Sequence, residues 1–207
     1  ISAKAPCKNH QMFLQNIEMM KNVCDALQQK VAKQVIYISS DAVYADSMEK
    51  ISEQSLAAPG SLHGVMHLAR EIMLQSVLEK ESLLILRPSL LYGLNDPHNG
   101  YGPNSFYRLA KANKKIELFG NGEEKRDHVY IEDVAEIIFQ SIIHQSYGVM
   151  NITSGQVLSF MDVANIILKL TRSHSSIQTK PRNGPMPHNG YRAFCNSTCE
   201  LKFQGFQ

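Results

Sequence analysis

The chain has 207 residues, 43% of them hydrophobic, and a formal net charge of +2, which suits one domain with a sizeable core and is not the basic footprint of a nucleic-acid-binding protein. It contains no apolar run of membrane-spanning length and no visible signal peptide. Because its four cysteines show no C-x-x-C pairing, we expect reduced thiols and a cytoplasmic protein without nucleic-acid or membrane partners.

The first forty residues read as strand, helix and strand. Ile1 to Ala5 resembles the end of a strand that Pro6 terminates. Residues 12–29 repeat apolar side chains at helical spacing, and residues 34–39 read as a buried strand. That strand would deliver Ser40 to the carboxyl edge of a parallel sheet, where such folds bind ligands.

A polar loop and a second helix separate this strand from the next. Pro59, Gly60 and Ser61 signal the start of a helix that we expect to run to Glu79. Residues 83–86 form a continuous apolar run, typical of a strand covered on both faces. The two strands should therefore be parallel and adjacent in a right-handed crossover unit, with Ser40 and Tyr92 at one edge.

The rest of the chain alternates loops with short elements. Residues 95–104 are rich in Pro, Gly and Asn and predict a loop. A helix over 105–113, a strand over 116–119 and a helix over 133–141 follow. Ser159 and Asp162 have the spacing of a capping box at the start of a helix over 159–170. Residues 171–189 are polar and rich in Pro, so we expect a loop there.

Three motifs occur in a familiar order: Ser-Ser-Asp-Ala-Val-Tyr from Ser39, Arg-Pro-Ser-Leu-Leu-Tyr-Gly from Arg87, and Gly-Asn-Gly-Glu-Glu-Lys-Arg-Asp from Gly120. They resemble those of the extended short-chain dehydrogenase/reductases, the NAD-dependent epimerase/dehydratase family of nucleotide-sugar enzymes. The resemblance extends from Ile1 to Phe206. It implies an α/β fold, with part of a Rossmann-like doubly wound parallel sheet in 1–94 and 127–150. A smaller C-terminal substrate region would comprise 95–126 and 151–207.

The helix that begins near Ser61 departs from the family pattern. Relatives carry Tyr-x-x-x-Lys there, whereas this chain has His63 and His67. Residues four apart share a helix face, so a proton-transfer group and a cation can cooperate. Histidine can exchange protons near neutral pH, although it is a weaker cation than lysine. Alternatively both are ordinary polar residues in a protein without this chemistry. A metal site is weakly supported, because no Glu lies between them and no third ligand is evident.

The resemblance also implies roles for other side chains, and Arg126 would clamp a diphosphate from the cleft at the carboxyl ends of the strands. The implied catalytic residues are Ser40, His63 and His67. The implied cofactor-binding residues are Ala3, Lys4, Ser39, His67 and Pro88. The implied substrate-binding residues are Tyr92, Asn104, Arg126 and Arg182.

The cofactor itself would be NAD or NADP. The sequence contains no G-x-x-G-x-x-G pyrophosphate turn, so the resemblance places the start of the chain at about the fourth strand of the fold. The residue that reads the ribose, and with it the choice between the two cofactors, would lie before that point.

Two functions remain open at this stage. The first is NAD(P)-dependent epimerisation, dehydration or reduction of a nucleotide-linked sugar, with Ser40 binding the reacting hydroxyl and His63 exchanging its proton. The second is a catalytically weak NAD- or nucleotide-binding protein that acts as a sensor or scaffold. In either case the helices over 12–29 and 61–79 have apolar stripes long enough for a homodimer interface.

Overall fold

A computed structural model describes residues 6–96 and 100–203. In chain order the helices and strands are α1 (His10–Gln29), β1 (Val35–Ile38), α2 (Leu62–Gln75), β2 (Leu83–Pro88), β3 (Leu90–Tyr92), α3 (Pro103–Lys111), β4 (Ile116–Phe119), β5 (Lys125–Tyr130), α4 (Ile131–Ile143), β6 (Gly148–Ile152), β7 (Val157–Ser159), α5 (Phe160–Thr171), β8 (Ile177–Lys180), β9 (Tyr191–Arg192) and α6 (Ser197–Lys202).

The main sheet consists of three parallel strands in the order β1, β2, β6. Val35 pairs with Leu83 and Leu84 with Gly148, so the predicted parallel pairing of the first two strands is confirmed. All six residues of β2 are buried. Successive side chains of a strand point to opposite faces: Ile85 packs with α1 and α2, whereas Leu86 packs with α4. Helices thus cover both faces of this sheet, as expected for a doubly wound fold.

The second half of the chain builds smaller sheets beside the first. β5 pairs with β3, β7 and β9, and β4 pairs in parallel with β8. Their core brings together Phe106 of α3, Leu118 of β4 and Phe160 of α5. β8 lies within the segment predicted to be a loop, so that prediction is wrong. A four-residue strand with only one apolar residue, Ile177, leaves no hydrophobic pattern to detect.

Side-chain caps start the long helices. The Asn9 side chain accepts from the Met12 amide at 2.9 Å, and Ser61 accepts from Gly64 at 3.1 Å. The predicted capping box of α5 is confirmed, with Ser159 and Asp162 bonded in both directions. α2 ends at Gln75, four residues before the predicted end at Glu79. Just beyond Gln75, the Val77 and Leu78 amides both donate to the Leu74 carbonyl. No helix within the described ranges is long and apolar enough to cross a membrane.

Candidate active site

A cavity of about 880 Å³ runs along β1 and reaches the carboxyl ends of β1 and β2. Its walls come from β1 and the turn after it, from α1 and α2, and from the end of β2 with the first residues of β3. The cavity brings together five of the predicted site residues, which are Ser39, Ser40, His63, His67 and Pro88. The carboxyl ends of parallel strands are where open α/β sheets bind ligands, so this cavity is the candidate active site.

Gly64 sets the distance between α2 and the turn that carries Ser40. A Cβ atom at this position would lie 2.0 Å from the Ala42 carbonyl oxygen and 2.6 Å from the Pro59 Cβ. Only a residue without a side chain allows so close an approach of helix and loop. The glycine therefore brings His63 into the same cavity as Ser40.

Ser40 connects the cavity to a charged pair behind it. Its Oγ accepts from the Ala42 amide at 3.1 Å and lies 3.4 Å from Asp41 Oδ1. Arg192, buried on β9, donates from Nε to Asp41 Oδ2 at 2.8 Å. No role was predicted for Arg192, because 151 positions separate the two partners in the sequence. This pair holds the turn that presents Ser40.

His63 has one of its ring nitrogens engaged. The backbone N–H of Cys7 donates to His63 Nδ1 at 3.3 Å. A nitrogen that accepts carries no proton, so the neutral imidazole has its proton on Nε2. Burial lowers the pKa of His63, and the Asp41 carboxylate opposes this shift. At neutral pH the side chain therefore offers an Nε2–H donor.

His67 is more deeply buried, with 7% of its surface exposed. Its Nδ1 hydrogen-bonds the Tyr37 hydroxyl at 3.1 Å, and its ring meets that of His63 edge to face at 4.7 Å. Burial, together with the charges of His63 and Arg70, lowers the pKa of His67 to about 3. A neutral ring can only donate or accept a hydrogen bond, so the predicted contact of His67 with the cofactor ribose would be a hydrogen bond without a positive charge.

A buried ion pair underlies the cavity floor. Arg87 bonds Glu71 through two nitrogens, Nε to Oε1 at 3.0 Å and Nη2 to Oε2 at 2.5 Å. Ser39 donates its hydroxyl to the same Oε1. Because the hydroxyl hydrogen of Ser39 is bound to Glu71, the predicted contact of Ser39 with the cofactor would use other atoms of this residue. Glu71 is four residues beyond His67 and therefore lies on the same helix face. That spacing could have indicated from the sequence that Glu71 lies near the site.

Tyr92 and Asn104 lie elsewhere. They line a separate cavity of about 180 Å³ beside Tyr130. Asn104 Oδ1 accepts from the Gly93 amide at 2.9 Å, and its Nδ2 donates to Asp96. The prediction that Ser40 and Tyr92 share one edge is corrected, because β3 leaves the main sheet after Pro88 and pairs with β5.

The two predicted phosphate-binding arginines come together, but not at an open cleft. Arg126 is buried, and burial lowers its pKa against the opposing charge of Glu124. Both Arg126 and Arg182 form ion pairs with that one carboxylate, at 2.5 and 2.7 Å. The expectation that Arg126 faces an open cleft is thus corrected. Ala3 and Lys4 lie outside the described residues.

Solved structures with the same fold are nucleotide-sugar epimerases. A UDP-N-acetylglucosamine 4-epimerase from Methanobrevibacter ruminantium M1, in complex with UDP-N-acetylmuramic acid, is 20% identical with a TM-score of 0.85, over 98% of this chain and 68% of that one. A UDP-glucuronic acid 4-epimerase from Bacillus cereus, in complex with UDP-glucuronic acid and NAD, is 21% identical with a TM-score of 0.78, over 91% of this chain. This chain spans only 61% of the length of that epimerase.

The sequence itself matches the model of a protein family. The match is to the NAD dependent epimerase/dehydratase family and covers residues 6–153. These residues include β1, β2 and all the residues that line the candidate active site, and they make up more than half of the chain. The chain therefore belongs to the NAD-dependent epimerase/dehydratase family.

Proposed function

We propose that the protein, as an intact chain, is an NAD-dependent oxidoreductase of the epimerase/dehydratase type that acts on a nucleotide-linked sugar. The observation that carries the proposal is the single cavity that gathers Ser40, His63, His67 and Pro88 at the carboxyl ends of β1 and β2. The epimerases with the same fold support the substrate class, since their names specify UDP-linked sugars. Residues 1–94 and 127–150 would serve the cofactor, and 95–126 and 151–207 the sugar nucleotide.

The donors in the cavity fit the nicotinamide end of NAD. Pro88, Leu90 and Leu91 supply apolar lining, and Ser40 and His63 supply polar groups to the same cavity. Bound NAD would supply the hydride acceptor. The sequence contains no glycine-rich pyrophosphate turn, so the residues present account for the nicotinamide end only.

Ser40 and His63 would act on the same substrate oxygen. The Ser40 hydroxyl can hydrogen-bond the reacting sugar hydroxyl, and His63 can take the proton that this hydroxyl loses on oxidation when Nε2 is the unprotonated nitrogen. The ring proton would then lie on Nδ1, and the contact with the Cys7 amide would be lost. His67 would then orient the His63 ring and hydrogen-bond the cofactor ribose. Arg126 and Arg182 would bind the diphosphate, with Tyr92 and Asn104 lining the sugar side.

One observation favours the second function, a nucleotide-binding protein with little or no turnover. Full protonation of His63 would turn Nδ1 into a donor facing the Cys7 amide, which is also a donor. His67, which occupies the lysine position, is neutral. The site then has neither the proton-exchanging acid nor the adjacent cation that the family chemistry uses.

Turnover of UDP-sugars with NAD by the intact chain separates the two functions. The enzyme hypothesis expects turnover that His63→Phe abolishes while NAD affinity in calorimetry stays unchanged. Activity should fall as the pH drops through the lowered pKa of His63, below 6.5, because a protonated ring has no nitrogen left to accept the hydroxyl proton. His174→Phe, a change in an exposed histidine, is the matched control.

The opposite results favour the binding protein. Inactive wild type together with an active double variant, His63→Tyr with His67→Lys, would show that the scaffold supports the chemistry and the native histidines do not. If His63→Phe is as active as wild type, His63 has neither proposed role.

The proposal includes a homodimer through α1 and α2. Leu14 of α1 and Ile72 of α2 are more than half exposed although both are large and apolar. Light scattering on the intact chain should give twice the monomer mass at micromolar concentration. Ile72→Glu should shift the equilibrium toward the monomer, whereas a monomeric wild type would refute this part of the proposal.

A further inference from the structure

Glu124 occupies the space between the two arginines that are proposed to bind a diphosphate. Its Oε1 accepts from Arg126 Nη2 at 2.5 Å, and its Oε2 accepts from Arg182 Nη2 at 2.7 Å. Each carboxylate oxygen thus serves a different guanidinium, which is the arrangement that a bridging anion would adopt. Only one of the two positive charges is compensated within this trio.

The backbone holds Glu124 firmly in this position. The Glu124 carbonyl accepts from the Phe160 amide at 3.1 Å, and the Gly122 carbonyl accepts from the Met161 amide at 3.0 Å. Gly122 has φ +71°, and a Cβ there would lie 2.7 Å from Leu118 Cδ1. The turn is therefore anchored to the start of α5, and the carboxylate acts on the arginines at a high effective concentration.

Arg182 has hydrogen-bonding capacity that Glu124 does not use. Its Nε is buried and has no hydrogen-bond partner, and its guanidinium lies 5.8 Å from the centre of the Phe119 ring. The side chain is 17% exposed, compared with 7% for that of Arg126. An incoming anion would therefore reach the pair from the Arg182 side.

We propose that Glu124 is a specificity-determining residue that keeps single anionic groups away from Arg126 and Arg182 and yields only to a ligand with two linked anionic groups, such as a diphosphate. The inference rests on the proposed nucleotide-sugar function and adds the selection step. A single anionic group can occupy only the position between the arginines that Glu124 already fills, and it also loses translational freedom on binding. A diphosphate brings a charged group for each guanidinium and an acceptor for Arg182 Nε.

The test measures the affinity of the intact chain for inorganic pyrophosphate and inorganic phosphate by calorimetry, without NAD or sugar. Wild type should bind pyrophosphate about tenfold or more tightly than phosphate. Glu124→Gln, which keeps the shape and removes the charge, should bind both anions about tenfold or more tightly than wild type does. The preference for pyrophosphate should shrink, because a single anion no longer has a competitor.

Three further variants isolate the cause. Glu117→Gln is the matched control, since Glu117 lies on neighbouring β4 and pairs with Lys115 and Lys180 rather than with the arginines; it should leave both affinities unchanged. Arg126→Met in the Glu124→Gln background should abolish the gain. If Glu124→Gln does not fold, Glu124→Asp, with the same charge and a shorter reach, should show a smaller gain.

Three results would overturn the inference: wild type that binds phosphate as tightly as pyrophosphate, a folded Glu124→Gln with unchanged or weaker affinity for pyrophosphate, or an equal gain in Glu117→Gln. Failure of the proposed function has a different signature, which is the absence of NAD binding and of NAD-dependent turnover. The anion measurements contain no NAD, so the two failures are distinguishable.

Discussion

Two buried carboxylates of this chain are each bound by arginine, but in different proportions. Glu71 pairs with Arg87 alone and takes a third hydrogen bond from Ser39. Glu124 pairs with both Arg126 and Arg182. The first pair is neutral and lies between α2 and β2, whereas in the second two guanidinium groups share one carboxylate. We expect the first carboxylate to stabilise the fold, and we propose that the second leaves charge for a ligand.

The largest effect should come from breaking the neutral pair. Arg87→Met would leave the buried Glu71 carboxylate without its counter-charge. This variant should therefore lower the free energy of unfolding by about 3–5 kcal/mol. Urea unfolding of the intact chain measures this. Asp25→Asn, which breaks the exposed pair with Lys21, should cost less than about 1 kcal/mol. Equal costs in the two variants would show that the buried pair contributes no more than the exposed one.

The second-largest effect should come from acid, which should lower the free energy of unfolding through His67 on α2. The unfolded His67 side chain has a pKa of about 6.5, and the folded one has a pKa of about 3. Between these values the unfolded chain binds a proton that the folded chain does not, so stability falls as the pH falls below 6.5. The loss is at most about 1.4 kcal/mol per pH unit, or about 2 kcal/mol between pH 7 and pH 5.

The variant His67→Gln isolates this contribution, because glutamine can still hydrogen-bond Tyr37 but does not titrate. Urea unfolding at both pH values should show a smaller loss in the variant than in wild type. An identical loss in the two proteins would mean that the pKa of His67 is the same in the folded and the unfolded chain.

The smallest effect should come from the carboxylate that two arginines share. Arg182→Met leaves Glu124 paired with Arg126, and the Arg182 side chain is partly exposed. The free energy of unfolding should therefore fall by only about 1 kcal/mol or less. A cost as large as that of Arg87→Met, again in urea unfolding, would mean that this contact is as structural as the neutral pair and would remove the contrast between them.

The elements of the main sheet could be predicted from the sequence because each has a local cause. The apolar run from Leu83, the helical spacing in α1 and the capping box at Ser159 are all readable within a few residues. β8 and the early end of α2 escaped detection, because the first depends on pairing with β4 and the second on bonds to the Leu74 carbonyl.

The site could be predicted only in part. The resemblance located Ser40, His63, His67 and Pro88 in one cavity, since their positions follow from strand ends and helix spacing. The protonation of the histidines could not be predicted, because it depends on Cys7, Tyr37 and burial. The same holds for Glu124, whose partners Arg126 and Arg182 are brought to it by separate strands and loops.

The close approach at Gly64 has a consequence for changing this protein by design. The side chains at 63 and 67 point into a cavity, where other shapes can be accommodated, while a Cβ at 64 would meet the Ala42 carbonyl at 2.0 Å. A library that varies residues 63 and 67 can therefore explore new proton-transfer groups on an unchanged frame. Variation at 64 would instead push the Ser40 turn away from α2 and separate the parts that such a library is meant to combine.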